Sequence, residues 1–389
     1  MSEWREGRLA DIADFVMGQS PEGDTCNEKG TGVPLLNGPT EFGIRNPKAV
    51  QFTTDPKRYS KLEDILFCVR GSTTGKMNWS DREYAIGRGL AALTHKNGTD
   101  YIYYLKALLD YNLDHLLASA TGSTFPNVSK EQIANLEVSI APLEEQKAIA
   151  SLLSSLDDKI DLLHRQNITL ERMAETLFRQ LFVEDAQEDW EEKLLSFYGE
   201  IVCGKTPSKQ KHAYFNGDMP FIKIPDMHSN TFIFRTEDSL TELGKYSQKN
   251  KTIPALSICV SCIATVGLVS ITTKPSQTNQ QINSIIPKHN KYRYFLYLTM
   301  KASYDLLQAE ASGGTATLNL NTGNFSKITV TLPPESLLLE FESIVNPLFN
   351  KIQQNQSQVQ TLEKLRDNLL PKLMSGEVRV ALPSKEQAA

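Results

Sequence analysis

Two stretches of this chain carry the same apolar rhythm. From Lys147 to Phe182, core-type positions fall at Leu152, Leu156, Ile160, Leu163, Asn167, Leu170, Ala174, Leu177 and Leu181. From Phe341 to Gly376 the register returns 192 residues later, at Ile344, Leu348, Ile352, Asn355, Val359, Leu362, Arg366, Leu369 and Leu373. Alternating steps of four and three make the seam of a coiled coil, whose stripe needs a partner to cover it. Each run is 36 residues long, which at ~1.5 Å per residue makes a rod of roughly 54 Å. An ordinary helix has about 11 residues. Two such stripes in one chain predict that the helices pack on each other.

The repetition extends beyond the helices. Trp4 and Trp190, Gly18 and Gly204, Ser20 and Thr206, and Pro21 and Pro207 are each 186 apart, so GQSP returns as GKTP. Val33-Pro34-Leu35-Leu36 is matched by Met219-Pro220-Phe221-Ile222, a turn proline followed by a strand. Each half then has a β-rich core ending in a glycine turn, DILFCVRGSTTGKM and LSICVSCIATVGLVSI. The loops GSTFPNVSK and GGTATLNLNTGNFSK follow, then the short strands LEVSIAP and ITVTLPP, then the long helices. The expected order is a domain at 1–146, a helix at 147–182, an acidic linker at 183–189, a second domain at 190–335, a second helix at 336–378 and a tail at 379–389.

Composition changes this picture little. The 389 residues suffice for two or three domains, no apolar stretch is long enough to span a membrane, and MSEWREGRLADIADF does not read as a signal peptide. Five scattered cysteines suit a reducing, cytoplasmic setting better than a disulfide scaffold. Cys259 and Cys262 form a lone CxxC inside a strand-like run, which points to buried thiols rather than zinc.

Charge changes it more. The net charge of −5 conceals a block, 193–335, with 15 Lys+Arg against 9 Asp+Glu, offset partly by the acidic VEDAQEDWEE before it. Phosphate contacts depend on local patches, so the global charge does not exclude DNA.

The enzymatic readings fail on spacing. GSTTGK at 71–76 has three residues where a P-loop has four, and Met77 stands where the magnesium-binding Ser/Thr would be. Asn346-Pro347-Leu348-Phe349 lacks the second proline of an amino-methyltransferase box and lies inside the second long helix, and no carboxylate pair has catalytic spacing. No cofactor and no metal is called for. The loops offer recognition chemistry instead: Gln19 and Ser20 beside Gly18, and Lys205, Thr206, Lys209 and Lys211 around the GKTP turn. Arg70, Lys76 and Arg88 flank glycines where a backbone can approach phosphate. Asn279, Gln280 and Gln281 are amides able to bond base edges. Tyr292 and Tyr294 read as core of an apolar helix.

The segments APLEEQKAIASLLSSLDDKID and LEKLRDNLLPKLMSGEVRV resemble the two spacer helices of specificity subunits of type I restriction-modification enzymes, and the likeness covers nearly the whole chain. The first spacer departs from the pattern, with TLFRQLF where the second has LLPKL. The resemblance implies an α+β protein in which two repeated globular target-recognition domains are separated by two long helices forming an antiparallel coiled coil. It implies a non-catalytic DNA-specificity subunit of a phage-defence system, reading a split double-stranded target. Its partners would be two adenine methyltransferase subunits and, in the full complex, motor-nuclease subunits. The alternative is a coiled-coil scaffold that does not read DNA; an autonomous adenine methyltransferase is a third reading. If facing residues sum to about 522, Asn167 meets Asn355 and the pair sets the register; a sum of 525 separates them.

Overall fold

The computed structural model describes residues 4–120, 126–312 and 318–380. Parts of the two expected glycine loops, 122–125 and 313–317, and most of the tail lie outside the described residues. The chain divides into two compact units, Met1–Leu162 with Gln360–Ala389, and Leu163–Val359. Each contains one globular domain and a length of both long helices.

In the first unit, an antiparallel sheet runs in the order Ala13–Met17, Leu90–His95, Ile65–Cys68, Met77–Trp79. Its central strand, Ile65–Cys68, is apolar at every position and buried at every position. Such a run fits a strand covered on both faces. A second sheet has the order Cys26–Asn27, Gln51–Thr53, Val33–Leu36, Tyr84–Ile86, Tyr59–Ser60. Strand Arg5–Arg8 pairs with Glu137–Ile140, and the chain enters the first long helix two residues after that strand.

The second unit repeats the frame of this plan in register, although its two sheets have five and three strands where those of the first have four and five. Met17 faces Ala91 in the first unit and Cys203 faces Asn283 in the second. Ala91 faces Phe67, and Asn283 faces Val260. Leu35 pairs in parallel with Ala85, and Phe221 with Gln277. The amide of Leu9 donates to the carbonyl of Leu136, and that of Leu195 to Ile328.

The first long helix runs Leu143–Arg179 and closes in a π-helical turn, Gln180–Glu184; the second runs Glu335–Met374. The first therefore starts earlier than its heptad pattern, directly after Pro142, with Glu144 and Glu145 at the positive end of its dipole. Val183 and Glu184, expected in the linker, belong to the π turn. The second ends before Gly376, whose φ of 73° is the left-handed conformation that glycine adopts cheaply.

The helices run antiparallel in each unit. In the second, Asn167 meets Asn355 and Phe182 meets Phe341. In the first, Asp157 binds Arg366 at 2.8 Å, and Glu145 binds Arg379, just beyond the end of the second helix, at 2.6 Å. The seam holds at Ile160, Leu163, Asn167, Ala174, Ile352, Asn355, Val359 and Leu373, all buried.

Elsewhere the seam turns by one position. Ile344 is 45% exposed, and Phe341, Val345 and Phe349 are buried in its place. The reason is what covers that end: Phe349 stacks on Tyr294 at 4.1 Å and meets Tyr297 and Phe232 edge-on. At Phe349 a domain surface sets the buried face, whereas Phe341 still packs on Phe178 and Phe182 of the first helix. Phe178 and Phe182 similarly pack on Phe295 while Leu177 and Leu181 are half-buried. Glu171 of the first helix accepts from Tyr297 and Thr231 and binds Lys301 at 2.8 Å.

Candidate nucleic-acid interface

The two glycine turns have the same construction. The amide of Gly18 donates to Leu90 and that of Gln19 to Ile86, both at 2.9 Å. In the second unit Gly204 donates to Ile282 at 3.0 Å and Lys205 to Thr278 at 2.9 Å. The turn is pressed against a strand end so tightly that only glycine fits. A Cβ on Gly18 would lie 2.1 Å from the Gly87 carbonyl oxygen, and one on Gly204 2.1 Å from that of Asn279. The residues after each glycine are thereby presented at the rim of the sheet.

In the first unit this brings Gln19, Ser20 and Arg88 together. Gln19 and Arg88 are exposed, and the Ser20 hydroxyl accepts from the backbone amide and Nε of Arg88, both at 3.3 Å. Arg70 and Lys76 bracket a separate feature, the hairpin turn 71–76, and both are exposed. Gly71 and Gly75 there have φ near +94° and +93°, and Thr74 Oγ1 closes the turn on the Gly71 carbonyl at 2.8 Å. The turn leads into strand Met77–Trp79 and not into a helix, so it lacks the helix N-terminus of a phosphate loop.

In the second unit Thr206 donates to Gln280 Oε1 at 2.6 Å, joining the GKTP turn to the 279–281 cluster. Lys205, Lys209, Lys211 and Gln280 are exposed, and Lys211 reaches the Tyr214 hydroxyl at 3.2 Å. Asn279 departs from the expectation of a base reader. It is 7% exposed, its amide donates to Gln281 Oε1 at 2.9 Å, and its oxygen accepts from the Gln281 backbone at 3.1 Å. A buried amide whose nitrogen and oxygen are both bonded within its own turn holds that turn and is not presented to a base edge. Gln281 is half-buried with its oxygen already taken, whereas Gln280 stands out.

Two residues missed in the sequence hold this surface. Gln248 and Gln277 are buried; Gln248 Nε2 donates to the Lys205 carbonyl at 2.6 Å and to Gln277 Oε1 at 2.9 Å. Gln277 Nε2 reaches the Lys245 carbonyl and Thr252 Oγ1. They lie 43 and 72 residues from Lys205, and neither has a local pattern that could have found it. Among the described residues there is no cluster of three or more metal-ligating groups. Burial pushes the Cys259 thiol up to about 12 and that of Cys262 up to about 11, as for inert core thiols. Tyr292 and Tyr294 are core residues. No helix of the described residues is long and apolar enough to cross a membrane.

Residues 1–172 and 187–364 each match the family model of the type I restriction modification DNA specificity domain. The chain belongs to that family. The specificity subunit of the type I restriction enzyme HindI from Haemophilus influenzae is 33% identical, over 97% of this chain and 100% of its own length. That of type I restriction enzyme MjaIX from Methanocaldococcus jannaschii is 28% identical over 97% and 94%. Among solved structures, the type I restriction-modification S subunit from M. genitalium superimposes with a TM-score of 0.61 at 18% identity, covering 95% of this chain and 96% of that one. This last likeness shows the fold. The chain is a type I specificity subunit by family, α+β in class, with two copies of the specificity domain and two long helices that run antiparallel.

Proposed function

We propose that this chain is the non-catalytic DNA-reading subunit of a cytoplasmic type I restriction-modification complex. Its two domains, 1–146 and 190–335, recognise two unlike half-sites of a gapped, asymmetric double-stranded target. It docks two adenine methyltransferase subunits, with motor-nuclease subunits in the full complex. The observation that carries the reading is the duplicated rim built on Gly18 and Gly204. One rim presents Gln19, Ser20 and Arg88; the other presents Lys205, Thr206, Lys209, Lys211 and Gln280. Identical frames bearing different polar groups suit two domains that meet the same kind of ligand and read different sequences on it.

The test is a methylome map of a host expressing this chain with its modification subunits. The expected result is adenine methylation at one asymmetric, interrupted sequence. Replacing Lys205, Lys209 and Lys211 together with Ala should weaken duplex binding and lower the salt slope by roughly 2–3, about 0.9 for each phosphate no longer neutralised. The half-site read by residues 1–146 should be unchanged. No binding to any duplex, with or without the methyltransferase, would leave the scaffold reading. Heat on titrating this chain alone with S-adenosylmethionine would favour the autonomous methyltransferase; none is expected.

A further inference from the structure

The two domains finish one sheet edge differently. Leu35 pairs with Ala85 in the first and Phe221 with Gln277 in the second, so Ala85 and Gln277 hold the same place. In the first domain strand Tyr59–Ser60 covers the next position, with Tyr59 facing Ala85. In the second, Gln277–Thr278 is the last strand of its sheet among the described residues, and a side chain takes the covering strand's part. Gln277 is 0% exposed, and its Nε2 reaches the Lys245 carbonyl at 3.1 Å, the Gln248 carbonyl at 3.3 Å and Thr252 Oγ1 at 2.9 Å. Backbone bonds between Ile253 and Ser276, at 2.9 and 3.0 Å, complete the edge.

The segment held in this way is rich in lysine. Between Phe52 and Cys68 the first domain has three cations against three carboxylates. Between Ser239 and Ser261, a stretch six residues longer, the second has Lys245, Lys249 and Lys251 against Glu242 alone. Glu242 lies 3.3 Å from Lys245, whereas Lys249 and Lys251, on the turn Lys249–Lys251, have no ion pair among the described residues. Lys249 is exposed and Lys251 half-buried. The same segment is bonded to the glycine rim. Gln248, 5% exposed, donates from Nε2 to the Lys205 carbonyl at 2.6 Å and to Gln277 Oε1 at 2.9 Å. At the other end the Thr241 amide donates to the Tyr214 carbonyl at 3.0 Å and its hydroxyl to the Ala213 carbonyl at 2.7 Å. Residues 205–214 and 241–251 are thus joined at both ends and lie side by side. Gln248 Oε1 is buried with no partner among the described residues, a cost that a pair of apolar side chains would not carry. Amide bonds are directional, and these fix the path of 245–251.

We propose that Lys249 and Lys251 bind phosphates of the second half-site beside the Gly204 rim, and that Gln248 and Gln277 are the positioning residues that hold their turn there. This rests on the DNA-reading function proposed above. Unpaired surface lysines gain from a polyanion through counterion release, and that gain needs no base contact. It does need the ammonium groups within reach of the backbone whose bases the rim meets, which is what the bond from Gln248 to the Lys205 carbonyl secures. The matching stretch of the first domain has balanced charge, and Ala85 stands where Gln277 would be. It has neither the unpaired cations nor the side chain that holds them. The second half-site is therefore gripped through phosphate contacts that the first does not have.

The experiment uses the full chain, alone and with co-expressed modification subunits. Compared with the parent are Lys249→Gln combined with Lys251→Gln, Gln277→Met alone, and all three changes together. Binding to a random-sequence duplex and to the mapped target is measured against salt, alongside the methylome. The lysine pair should lower the salt slope by about 2 on both duplexes, about 0.9 for each phosphate no longer neutralised. Gln277→Met alters no charge, yet it should lower the slope by about 1–2 in the parent and leave it unchanged where the lysines are already gone. The methylated sequence should stay the same. A lysine-pair variant with the parental slope overturns the proposal. So does a Gln277→Met effect that is equal with and without the lysines, or a change in the bases of the second half-site. In each of these cases the DNA-reading function stands, whereas failure of the parent to bind any duplex overturns both. Should melting show that Gln277→Met does not fold, the lysine pair, which alters no fully buried group, decides.

Discussion

Replacing the two seam asparagines singly should have unequal effects. Asn355 is 0% exposed and Asn167 8%. Asn355 Nδ2 donates to Asn167 Oδ1 at 2.9 Å and reaches Gln166 Oε1 at 3.4 Å, while its own oxygen is buried with no partner among the described residues. Asn167→Leu leaves a fully enclosed amide without its short bond, a cost of about 1–3 kcal/mol. Burial of the new leucine returns about 1 kcal/mol, so the expected net loss is about 0–2 kcal/mol. Asn355→Leu removes an unpaired buried oxygen and strands only the less enclosed partner, so it should be neutral or stabilising by up to about 1 kcal/mol. The double leucine variant should exceed the parent in stability, since removing both partners leaves nothing unpaired, and should hold its helix register less strictly. The assay is a double-mutant cycle on the full chain, with denaturant unfolding followed by far-ultraviolet circular dichroism. The coupling energy should be about 1 kcal/mol in favour of the native pair. If Asn167→Leu proves no worse than Asn355→Leu, or if the coupling is zero within error, the pair does not act as described.

Other consequences follow from local geometry. Gly18→Ala and Gly204→Ala, each placing a Cβ 2.1 Å from a carbonyl oxygen, should each cost about 2–4 kcal/mol in thermal unfolding; Gly23→Ala, where nothing lies within 4 Å, should be neutral. Burial raises the Glu342 carboxyl to about 7 against the weaker opposing pull of Arg293. An acid raised on folding gives up stability as pH climbs from its unfolded value near 4.5 through 7. Glu342→Gln should therefore stabilise the fold at about pH 8 by about 1–2 kcal/mol, discounted because the side chain keeps some solvent, and raise the melting temperature accordingly, with a smaller gain near pH 5. Thiol titration of the folded chain at about pH 8 should find Cys26 and Cys203 reactive and Cys68, Cys259 and Cys262 silent until denaturation, in keeping with their burial.

The helices were legible because a heptad stripe is written locally. The meeting of Asn167 with Asn355 needed only an antiparallel pairing and a sum of residue numbers. The ends of the stripe were not legible, since Phe349 answers to Tyr294, Tyr297 and Phe232, which belong to a domain fold that the helix pattern does not encode. The glycine turns could be found from the 186-residue repeat. Asn279 could not be sorted from Gln280, because adjacent amides look alike in sequence and differ only in which one the turn consumes.

Those shifting offsets locate where the domains differ. Pro34 and Pro220 are 186 apart, Phe52 and Ser239 187, Cys68 and Ser261 193, and Ala91 and Asn283 192. The rise from 187 to 193 places six additional residues of the second unit between Ser239 and Ser261, a stretch in which the turn Lys249–Lys251 adds two lysines. The loops after the glycine turns, 21–36 and 207–222, have equal length and opposite character. The first carries Glu22, Asp24 and Glu28 against Lys29, the second Lys209, Lys211 and His212 against Asp218. Hydrogen-bond register is thus preserved wherever it builds the frame, and charge diverges wherever the frame leaves a loop free. A polyanion meets these two rims on different terms. A lysine-rich rim gains from counterion release and an acidic one does not, so the salt dependence of duplex binding should reside chiefly in the second domain, and the first must draw on Arg58, Arg70, Lys76 and Arg88, set back on the frame itself.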